Sequence, residues 1–268
     1  MSVIKDVQII IPMTGNGSRF KASGYQKLKP FILVHGIPMI EWVVRMFPGA
    51  DENISFLCRD THLDTLDYMR PTLEGLAPHA KIERIENWEK LGPVNDTLRA
   101  MSKIKDEAPV IICYCDFYMQ WDFEAFIRQV FDGGYEGAVP CYGGFHPHLL
   151  VQKNFYASCK TDKMDLLIEI KEKFSWTSDK TKSRHSPGLY YFRSGALMKH
   201  YLQALMESGN SINGEYYSSM PYNAMVADGL RVWCPNIVNR FCQWGTPEDL
   251  QDYLYWVETL RNAKGHSG

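Results

Sequence analysis

The sequence lacks the features of a membrane or exported protein. Its 268 residues contain no apolar run near the roughly 18–20 residues that a membrane span needs. The first residues carry one lysine and then a strand-like stretch, without the longer apolar core and small-residue cleavage site of a signal peptide. We therefore expect a cytoplasmic protein that has no membrane partner.

The sequence also has no large excess of charge of one sign. It contains 29 Lys and Arg residues and 31 Asp and Glu residues, for a formal net charge of −2. This balance predicts no nucleic-acid partner, although a basic pocket can exist within a neutral total. Of the seven cysteines, Cys113 and Cys115 do not form a C-x-x-C pair, and no second pair stands at zinc spacing. We expect reduced thiols.

The first half of the chain alternates between strand-like and helix-like segments. Short β-branched runs predict buried strands at 7–12, 54–58, 81–85 and 110–115. Apolar residues at helical spacing predict helices at 38–47, 62–69 and 94–101. Strands that alternate with helices are typical of a doubly wound α/β sheet.

This pattern changes after about residue 135. Strands are predicted at 139–142, 166–170 and 188–192, and helices at 196–207, 216–228 and 247–261. We interpret the chain as one domain with a nucleotide-type half at 1–135, a substrate-binding half at 136–245 and a C-terminal helix at 246–268. Ligands of open α/β sheets bind at the carboxyl ends of strands, so the residues after Ile11 and Cys115 are the expected place for chemistry.

A glycine-rich segment follows the first strand. Gly15, Gly17 and Ser18 lie within five residues of Met13. Glycines in this place allow positive φ angles and close approach of the backbone, so that peptide N–H groups can face phosphate oxygens. The segment therefore indicates a phosphate-binding loop.

Cationic side chains accompany this loop. Arg19 offers a bidentate donor for a polyphosphate, and Lys29 offers a compact positive charge. The segment is not a dinucleotide-binding fingerprint, because Phe20 takes the third glycine position, and it is not a P-loop, because Gly-Lys-Ser/Thr is absent. A solvated turn is the remaining alternative.

A single acid, Asp116, follows the otherwise apolar run at 110–115. A carboxylate in this position suits Mg²⁺, which prefers hard oxygen ligands. The alternative is that Asp116 caps a following helix. The Asp-x-Asp of many glycosyltransferases is absent, since residue 118 is Tyr.

Several segments, in the same order, resemble the sugar nucleotidyltransferase family. They are Ile-Pro-Met-x-Gly-x-Gly-Ser-Arg-Phe at 11–20, Lys-Pro-Phe-Ile at 29–32, Gly-Pro-Val-Asn-Asp-Thr at 92–97, Ile-Glu-Ile-Lys-Glu-Lys at 168–173, Gly-Leu-Tyr-Tyr-Phe at 188–192 and Gly-Thr-Pro-Glu-Asp-Leu at 245–250. The resemblance implies a Rossmann-like mixed sheet. It also implies an Mg²⁺-dependent enzyme that transfers a nucleoside monophosphate from a nucleoside triphosphate to the phosphate of a small metabolite and releases pyrophosphate.

The resemblance assigns roles to individual residues on the nucleotide side. Arg19 and Lys29 would be catalytic groups on the phosphates, and Asp116 would hold the metal. The segment from Met13 through Gly15, Gly17 and Ser18 would bind the triphosphate. Gly92 would pack against the base, and Asn87 would read the edge of the base.

On the acceptor side, the resemblance makes Lys173 the lysine that contacts the incoming phosphate. Glu172 and Gly188 would bind the rest of the acceptor. From the residues alone, 169–173 is equally a solvated charge run. Asn95 and Asp96 are expected to cap the following helix, and the aromatic residues of 213–217 to lie in the core.

One departure from the family concerns Gln243, which stands where many members carry a second metal-binding Asp. Whether Gln243 takes part in the metal site stays open. The segment 244–250 is closer to a subgroup from capsule and surface-glycan pathways, which includes cytidylyltransferases acting on non-sugar phosphates such as phosphoglutamine. This favours CTP. A homo-oligomer is possible.

Two alternative functions remain at this stage. A nucleotide-sugar glycosyltransferase would have a similar nucleotide-binding half of the sheet. Its reaction would not explain the presence of Arg19, or of Lys29 followed by Pro30. A regulatory module that has lost catalysis would keep the glycine loop. The pair His146 and His148 is expected to be a surface or substrate-pocket feature rather than a metal site, since no third ligand stands nearby in the sequence.

Overall fold

The structure is a computed structural model that describes residues 6–86, 89–152 and 154–265. Within these residues the strands are β1 (Gln8–Met13), β2 (Leu33–Val34), β3 (Ile37–Pro38), β4 (Ile54–Arg59), β5 (Lys81–Ile85), β6 (Val110–Cys113), β7 (Phe117–Gln120), β8 (Gly137–Ala138), β9 (Ser158–Thr161), β10 (Leu167–Lys171), β11 (Arg184–His185), β12 (Leu189–Phe192), β13 (Val232–Trp233) and β14 (Arg240–Gln243). The helices are α1 (Ser18–Ala22), α2 (Met39–Val44), α3 (Asp60–Thr65), α4 (Met69–Leu76), α5 (Pro93–Arg99), α6 (Phe123–Gly133), α7 (Gly195–Glu207), α8 (Pro221–Ala227) and α9 (Pro247–Gly265). None of the helices in the described ranges is long and apolar enough to cross a membrane.

The main sheet has seven strands in the order β13-β8-β12-β6-β1-β4-β5. The strands β6, β1, β4 and β5 are parallel, whereas β12 runs antiparallel to both β6 and β8. Side chains from both faces of β1 and β6 are buried, as their continuous apolar runs require. This mixed sheet confirms the predicted doubly wound α/β fold.

Each face of the main sheet has its own core. Ile9 and Ile11 of β1 pack in one apolar cluster, which includes residues of α2, α4 and α6. Ile10, between them in the strand, packs in a second cluster that includes residues of α5, α7 and α8. Because alternate residues of a strand point to opposite faces, β1 holds the two layers together and fixes the position of the loop that follows it.

Small antiparallel sheets accompany the main sheet. The strands β10, β9 and β11 form a three-stranded sheet, β2 and β3 form a hairpin, and β7 pairs with β14. The pair of β7 and β14 was not predicted. Its register sets Gln243 opposite Phe117, so that Asp116, just before β7, lies beside the residues that follow β14.

Several predicted boundaries are wrong. Strand β6 ends at Cys113 rather than at residue 115. The helix expected at 62–69 is two helices, because Leu66 adopts an extended backbone that ends α3. Residues 139–142 make only isolated bridges, since Pro140 has no N–H for a ladder. The helix expected at 216–228 begins at Pro221, because the backbone of Tyr216 bonds instead to the segment around Gly92.

Three cysteines that are distant in sequence meet in the core. The sulfur atoms of Cys141, Cys159 and Cys234 all lie within 4.8 Å of one another, and the three side chains are buried. Arg184 donates a hydrogen bond to the carbonyl of Cys234 at 2.8 Å beside them. Spacing along the chain gave no indication of this thiol cluster.

Candidate active site

The carboxyl ends of β1 and β6 open into a cleft with two adjoining compartments. The first compartment, of about 490 Å³, contains the loop after β1, and the second, of about 580 Å³, lies towards β10 and β12. Residues that line both compartments include Ser18, Arg19, Tyr114, Asp116, Tyr217 and Gly245. The two compartments therefore form one continuous cleft, with Asp116 at their junction.

The glycine-rich loop forms one wall of the first compartment. Met13 is buried at the end of β1, whereas Gly15 and Ser18 are exposed to the cleft. Gly17 has a left-handed backbone (φ 60°), and a Cβ atom there would lie 3.4 Å from the backbone nitrogen of Lys29. Glycine at this position thus lets the loop pack closely against the turn that carries Lys29.

Two cations of this compartment differ in their surroundings. The guanidinium of Arg19 is exposed in the cleft and forms no ion pair with any carboxylate of the described residues. Lys29 Nζ lies 2.7 Å from Asp116 Oδ2. Burial is the largest influence and lowers the pKa of Lys29, but the charge of Asp116, the charge of Cys115 and the hydrogen bond to Asp116 together outweigh it, so the pKa ends above its usual value. Lys29 is therefore a fixed, charged group at the junction.

Asp116 does not cap a helix, because the strand β7 begins at the next residue. The helix-cap alternative is wrong. Its carboxylate instead faces the turn after β14. A Cβ atom placed on Gly245 would lie 3.3 Å from Gln243 Nε2, 3.6 Å from Asp116 Oδ2 and 3.8 Å from Asp249 Oδ2. Asp116 therefore shares its surroundings with a second carboxylate.

That second carboxylate, Asp249, was missed in the sequence. Thr246 and Asp249 form a capping box at the start of α9: Asp249 Oδ2 accepts from Thr246 N at 3.1 Å, and Thr246 Oγ1 accepts from Asp249 N at 3.1 Å. Gln243 Nε2 also donates to Asp249 Oδ2 at 2.9 Å. Burial raises the pKa of Asp249, and the charge of Asp116 adds to the shift. The Thr-x-x-Asp pattern before a helical segment was the available signal.

Asp96 is another acid that sequence reasoning misplaced. The residue before α5 is Gly92, and neither Asn95 nor Asp96 caps the helix. Asp96 lies buried inside the first turn, where its carboxylate accepts a hydrogen bond from the hydroxyl of Thr14. Burial raises the pKa of Asp96 to about 6. Arg59 Nε donates to the carbonyl of Thr14 at 2.9 Å, so this group supports the loop after β1.

Gly92 lies in the wall of the first compartment that is opposite the glycine-rich loop. Its φ is 91°, and a Cβ atom there would lie only 2.8 Å from the carbonyl oxygen of Tyr216. The backbone bonds Val94 N to Tyr216 O (3.3 Å) and Tyr216 N to Leu91 O (2.8 Å) need this close approach. Gly92 lines the compartment, as expected. Asn87, the expected reader of the base edge, lies outside the described residues.

Charged groups on the wall between the compartments form a chain of contacts. Lys173 Nζ donates to Tyr217 Oη at 3.2 Å, and Tyr217 Oη donates to Glu215 Oε2 at 2.8 Å. Lys90 Nζ lies 3.2 Å from Glu215 Oε1. Tyr217 is half-buried and lines both compartments, so the prediction that the aromatic residues of 213–217 lie in the core is wrong for this side chain.

The second compartment contains Glu172 and Gly188. The hydroxyl of Ser219 donates to Glu172 Oε1, and burial raises the pKa of Glu172 to about 7. Gly188 has φ 105°, and a Cβ atom there would lie 3.0 Å from the ring of Tyr114. Glycine therefore allows this ring to pack against the backbone just before β12.

Every predicted site residue within the described ranges lines the cleft. Met13, Gly15, Gly17, Ser18, Arg19, Lys29, Gly92 and Asp116 line the first compartment, and Glu172, Lys173 and Gly188 line the second. His146 and His148 line a different cavity beside α9. His148 is hydrogen-bonded to Tyr142 Oη at 3.0 Å, and burial lowers its pKa to about 3.

A glycine-rich loop, exposed and fixed cations and a carboxylate, all at the carboxyl ends of parallel strands, define a nucleotide-phosphate-binding α/β protein. Residues 9–170 match the family model of the MobA-like NTP transferase domain. The chain belongs to this family, and it is an enzyme of the nucleotidyltransferase class. No curated protein matches the sequence significantly.

Solved structures with low sequence identity share the fold. A nucleoside-diphosphate-sugar pyrophosphorylase from Vibrio cholerae RC9 has a TM-score of 0.71 and 20% identity over 92% of this chain and 100% of its own. A candidate glucose-1-phosphate thymidylyltransferase from Bacillus anthracis, in complex with a sucrose, has a TM-score of 0.72 and 16% identity over 93% and 94%. A UDP-glucose pyrophosphorylase complexed with UDP-glucose has a TM-score of 0.71 and 11% identity over 94% and 98%.

Proposed function

We propose that the protein transfers a nucleoside monophosphate from a nucleoside triphosphate to the phosphate of a small phosphorylated metabolite and releases pyrophosphate. The observation that carries this proposal is the junction of the two compartments. Asp116 and Lys29 lie where they meet, Arg19 and the glycine loop lie on one side, and Lys173 lies on the other. A reacting phosphorus atom at the junction would contact groups from both compartments.

The proposed reaction is an in-line displacement. An oxygen of the acceptor phosphate attacks the α-phosphorus of the nucleoside triphosphate, and a new P–O bond forms. The bond from the α-phosphorus to the oxygen bridging it to the β-phosphorus breaks, and pyrophosphate leaves with that electron pair. Because the attacking oxygen is already anionic, no general base is needed. Catalysis then consists of positioning and stabilisation of negative charge.

The residue roles follow from the charges along the cleft. Arg19 and the backbone at 15–18 would hold the β- and γ-phosphates, and Lys29 would stabilise charge on the α-phosphate. Lys173 would bind the incoming acceptor phosphate, which enters from the second compartment. The bond from Lys173 to Tyr217 holds its ammonium on the wall that both compartments share.

The donor set at the junction fits Mg²⁺. Asp116 supplies a hard oxygen ligand within the cleft, and Asp249, whose side chain lines the neighbouring cavity beside α9, supplies a second carboxylate close to the same Cβ position at Gly245. When bound, Mg²⁺ would neutralise charge on the triphosphate. We propose that Asp116 is the principal ligand and that Asp249 is the second carboxylate. Gln243 would act by orienting Asp249, because its amide N–H bond is directed to that side chain.

For the nucleotide, we propose CTP first. The support is the resemblance of 244–250 to capsule-type cytidylyltransferases, which also favours a role in capsule or surface-glycan synthesis. The similar structures carry names that concern sugar nucleotides, with glucose 1-phosphate in one and UDP-glucose in another. A sugar 1-phosphate and a non-sugar phosphate are therefore the two acceptor classes to compare.

The experiment that tests the proposal is pyrophosphate release with each of the four nucleoside triphosphates, Mg²⁺ and a panel of sugar 1-phosphates and other phosphorylated metabolites. Acceptor-dependent release is expected, with CTP preferred. Preference for GTP or ATP would contradict the CTP assignment alone. Nucleotide binding without release would indicate a regulatory module, and release of a nucleoside diphosphate from a nucleotide sugar would indicate a glycosyltransferase.

A further inference from the structure

Three free thiols converge in the core of the second half of the chain. Cys141 follows β8, Cys159 lies in β9 and Cys234 follows β13. All three side chains are buried, and their sulfur atoms lie within 4.8 Å of one another. A single buried cysteine acts as a small apolar side chain, but three sulfurs at one point also form a set of soft metal ligands.

The spacing of the sulfur atoms fits a shared ion. With metal–sulfur bonds of about 2.3 Å, three sulfurs around one ion lie roughly 4 Å apart. The sulfurs of the thiol cluster are already close to this separation. Small rotations of the three side chains would therefore complete such a site without a change in the fold.

No fourth histidine, cysteine or carboxylate joins the thiols within the part of the chain that the structure describes. His185 opposes Tyr142 in an isolated bridge, and the two rings lie 5.5 Å apart. Tyr142 packs in the core on one face of the main sheet, however, whereas the thiol cluster packs in the core on the other face. The His185 ring therefore lies away from the sulfur atoms, and the site has three protein ligands.

The number of ligands limits the kind of ion. Structural zinc sites are almost always tetrahedral, and iron–sulfur clusters are held by four ligands. Water is a poor fourth ligand here, because the thiol cluster is buried in an apolar core that includes Val139, Ala157 and Leu167. Soft ions that three sulfur ligands satisfy, such as Cu(I) and As(III), need no fourth group.

Charge separates these two soft ions. As(III) with three thiolates is a neutral, pyramidal complex, whereas Cu(I) with three thiolates keeps a net negative charge, which is costly in an apolar core. Arg184 donates a hydrogen bond to the carbonyl of Cys234 at 2.8 Å, but its guanidinium also pairs with Asp165 at 2.6 Å. The neutral complex is thus the better match for this part of the core.

We propose that Cys141, Cys159 and Cys234 form a three-coordinate site for a soft, thiophilic ion, with As(III) as the best match. Arsenite, As(OH)3, is small and neutral, so it can enter a core that opens transiently. Three As–S bonds form and three As–O bonds break, and each hydroxide leaves as water with the proton of one thiol. No oxidant or reductant is needed. The site lies outside the lining of both compartments of the cleft and does not depend on the proposed function.

A bound ion would link two sheets. Cys141 and Cys234 follow the neighbouring strands β8 and β13 of the main sheet, whereas Cys159 belongs to the three-stranded sheet. Strand β10 of that small sheet leads directly to Glu172 and Lys173 in the second compartment. Because a ligand that binds the folded state more tightly than the unfolded state stabilises it, As(III) should raise the urea midpoint of unfolding.

The test incubates the reduced protein with arsenite, with Cu(I) or with Zn²⁺. Each treatment is repeated during refolding from urea, so that burial of the thiols does not prevent access. After desalting, intact-mass spectrometry should show one arsenic atom per chain, and X-ray absorption should show arsenic with three sulfur neighbours and no oxygen neighbour. Cu(I) should compete for the same sulfurs, and Zn²⁺ should be lost on desalting.

Variants locate the bound arsenic. Cys159→Ala should lose the arsenic and the rise in the urea midpoint. The control Cys58→Ala changes an equally buried thiol of β4 in the other core and should keep both. Cys141→Ala, which removes a different sulfur of the cluster, repeats the test should Cys159→Ala not fold.

The outcomes are distinct. Retention of Cu(I) alone would keep the three-coordinate site and make copper its occupant. Loss of both soft ions from the native and the refolded protein, arsenic with fewer than three sulfur neighbours, or undiminished arsenic in the folded variants of the cluster would overturn the site. Retained Zn²⁺ with a fourth ligand would also overturn the three-coordinate assignment. Each of these measurements is independent of nucleotidyl transfer.

Discussion

The walls of the two compartments of the cleft differ in chemical composition. The first consists of a backbone loop and four cations, Arg19, Lys29, Arg59 and Lys90, against the three acids Asp96, Asp116 and Glu215, with few aromatic side chains. The second has aromatic walls, and the numbers of acidic and basic side chains lining it are equal, with Asp116, Glu172 and Glu215 against Arg19, Lys90 and Lys173. Backbone and cations recognise phosphate, which all nucleoside triphosphates share, whereas side chains of particular shape recognise one acceptor.

This difference has a consequence for how the protein could change its substrate. Replacing an aromatic wall of the second compartment alters shape without touching the loop after β1. The loop itself is fixed by the core strand β1 and by the close contact of Gly17 with the turn that carries Lys29. We therefore expect changes in the first compartment to affect all acceptors alike, and changes in the second to affect acceptors unequally.

The largest effect is expected at the junction. Asp116→Asn removes the charge that pairs with Lys29 and the proposed principal Mg²⁺ ligand, so turnover should fall by at least about 10³-fold for every acceptor. Binding of metal-free nucleoside triphosphate should be unchanged or tighter, because a nearby negative charge is lost. Pyrophosphate release and titration calorimetry measure both, with Glu124→Gln, an exposed acid of α6, as the control. Undiminished turnover would exclude Asp116 from the metal site.

A loss of comparable or smaller size is expected from the cations. Arg19→Ala and Lys29→Ala should each lower turnover by roughly 10²–10⁴-fold, the range for loss of an electrostatic contact in the transition state. Arg19 is exposed, so its variant should remain fully folded. Lys21→Ala, on the same helix α1 but outside the cleft lining, is the matched control. Normal turnover in a folded Arg19→Ala protein would contradict its phosphate role.

The extent to which the sequence predicted this site depends on how local each contact is. The loop at 15–19 follows a strand directly, so its residue types alone indicated a phosphate site. Asp116 could also be assigned to this site from the sequence, because it follows a second buried strand and the carboxyl ends of parallel strands meet at one edge of the sheet. The structure shows that these strands, β1 and β6, are parallel neighbours. These parts of the cleft follow from local sequence and one topological rule.

The parts that could not be predicted depend on long-range pairing of short segments. The four-residue strands β7 and β14 are too short to give a periodic signal, yet their pairing brings Asp249 towards Asp116. Tyr217 reaches the cleft only because Gly92 accepts the backbone of Tyr216 at close range. Such contacts are decided by the three-dimensional fit of segments more than 100 residues apart.

A stability effect should distinguish Gly92 from other glycines with positive φ. Gly92→Ala places a Cβ atom 2.8 Å from the carbonyl of Tyr216, in a backbone with φ 91°, and should destabilise the protein by about 2–4 kcal/mol. Gly24→Ala has a similar φ of 88° but open space around it, and should cost only about 1–2 kcal/mol. Urea unfolding measures both. Equal losses would show that the contact with Tyr216 relaxes freely.

The smallest effect is expected at Gln243, which tests whether its amide acts directly or through Asp249. Gln243→Ala removes the 2.9 Å bond to Asp249, but the capping box with Thr246 still holds that carboxylate. A hydrogen bond of this kind contributes about 1 kcal/mol, so the Mg²⁺ concentration for half-maximal rate should rise by only about 5-fold. Gln251→Ala, exposed on α9, is the control. A loss near that of Asp116→Asn would contradict the orienting role and favour the Gln243 amide as a ligand, because Thr246 would still hold Asp249 in the variant.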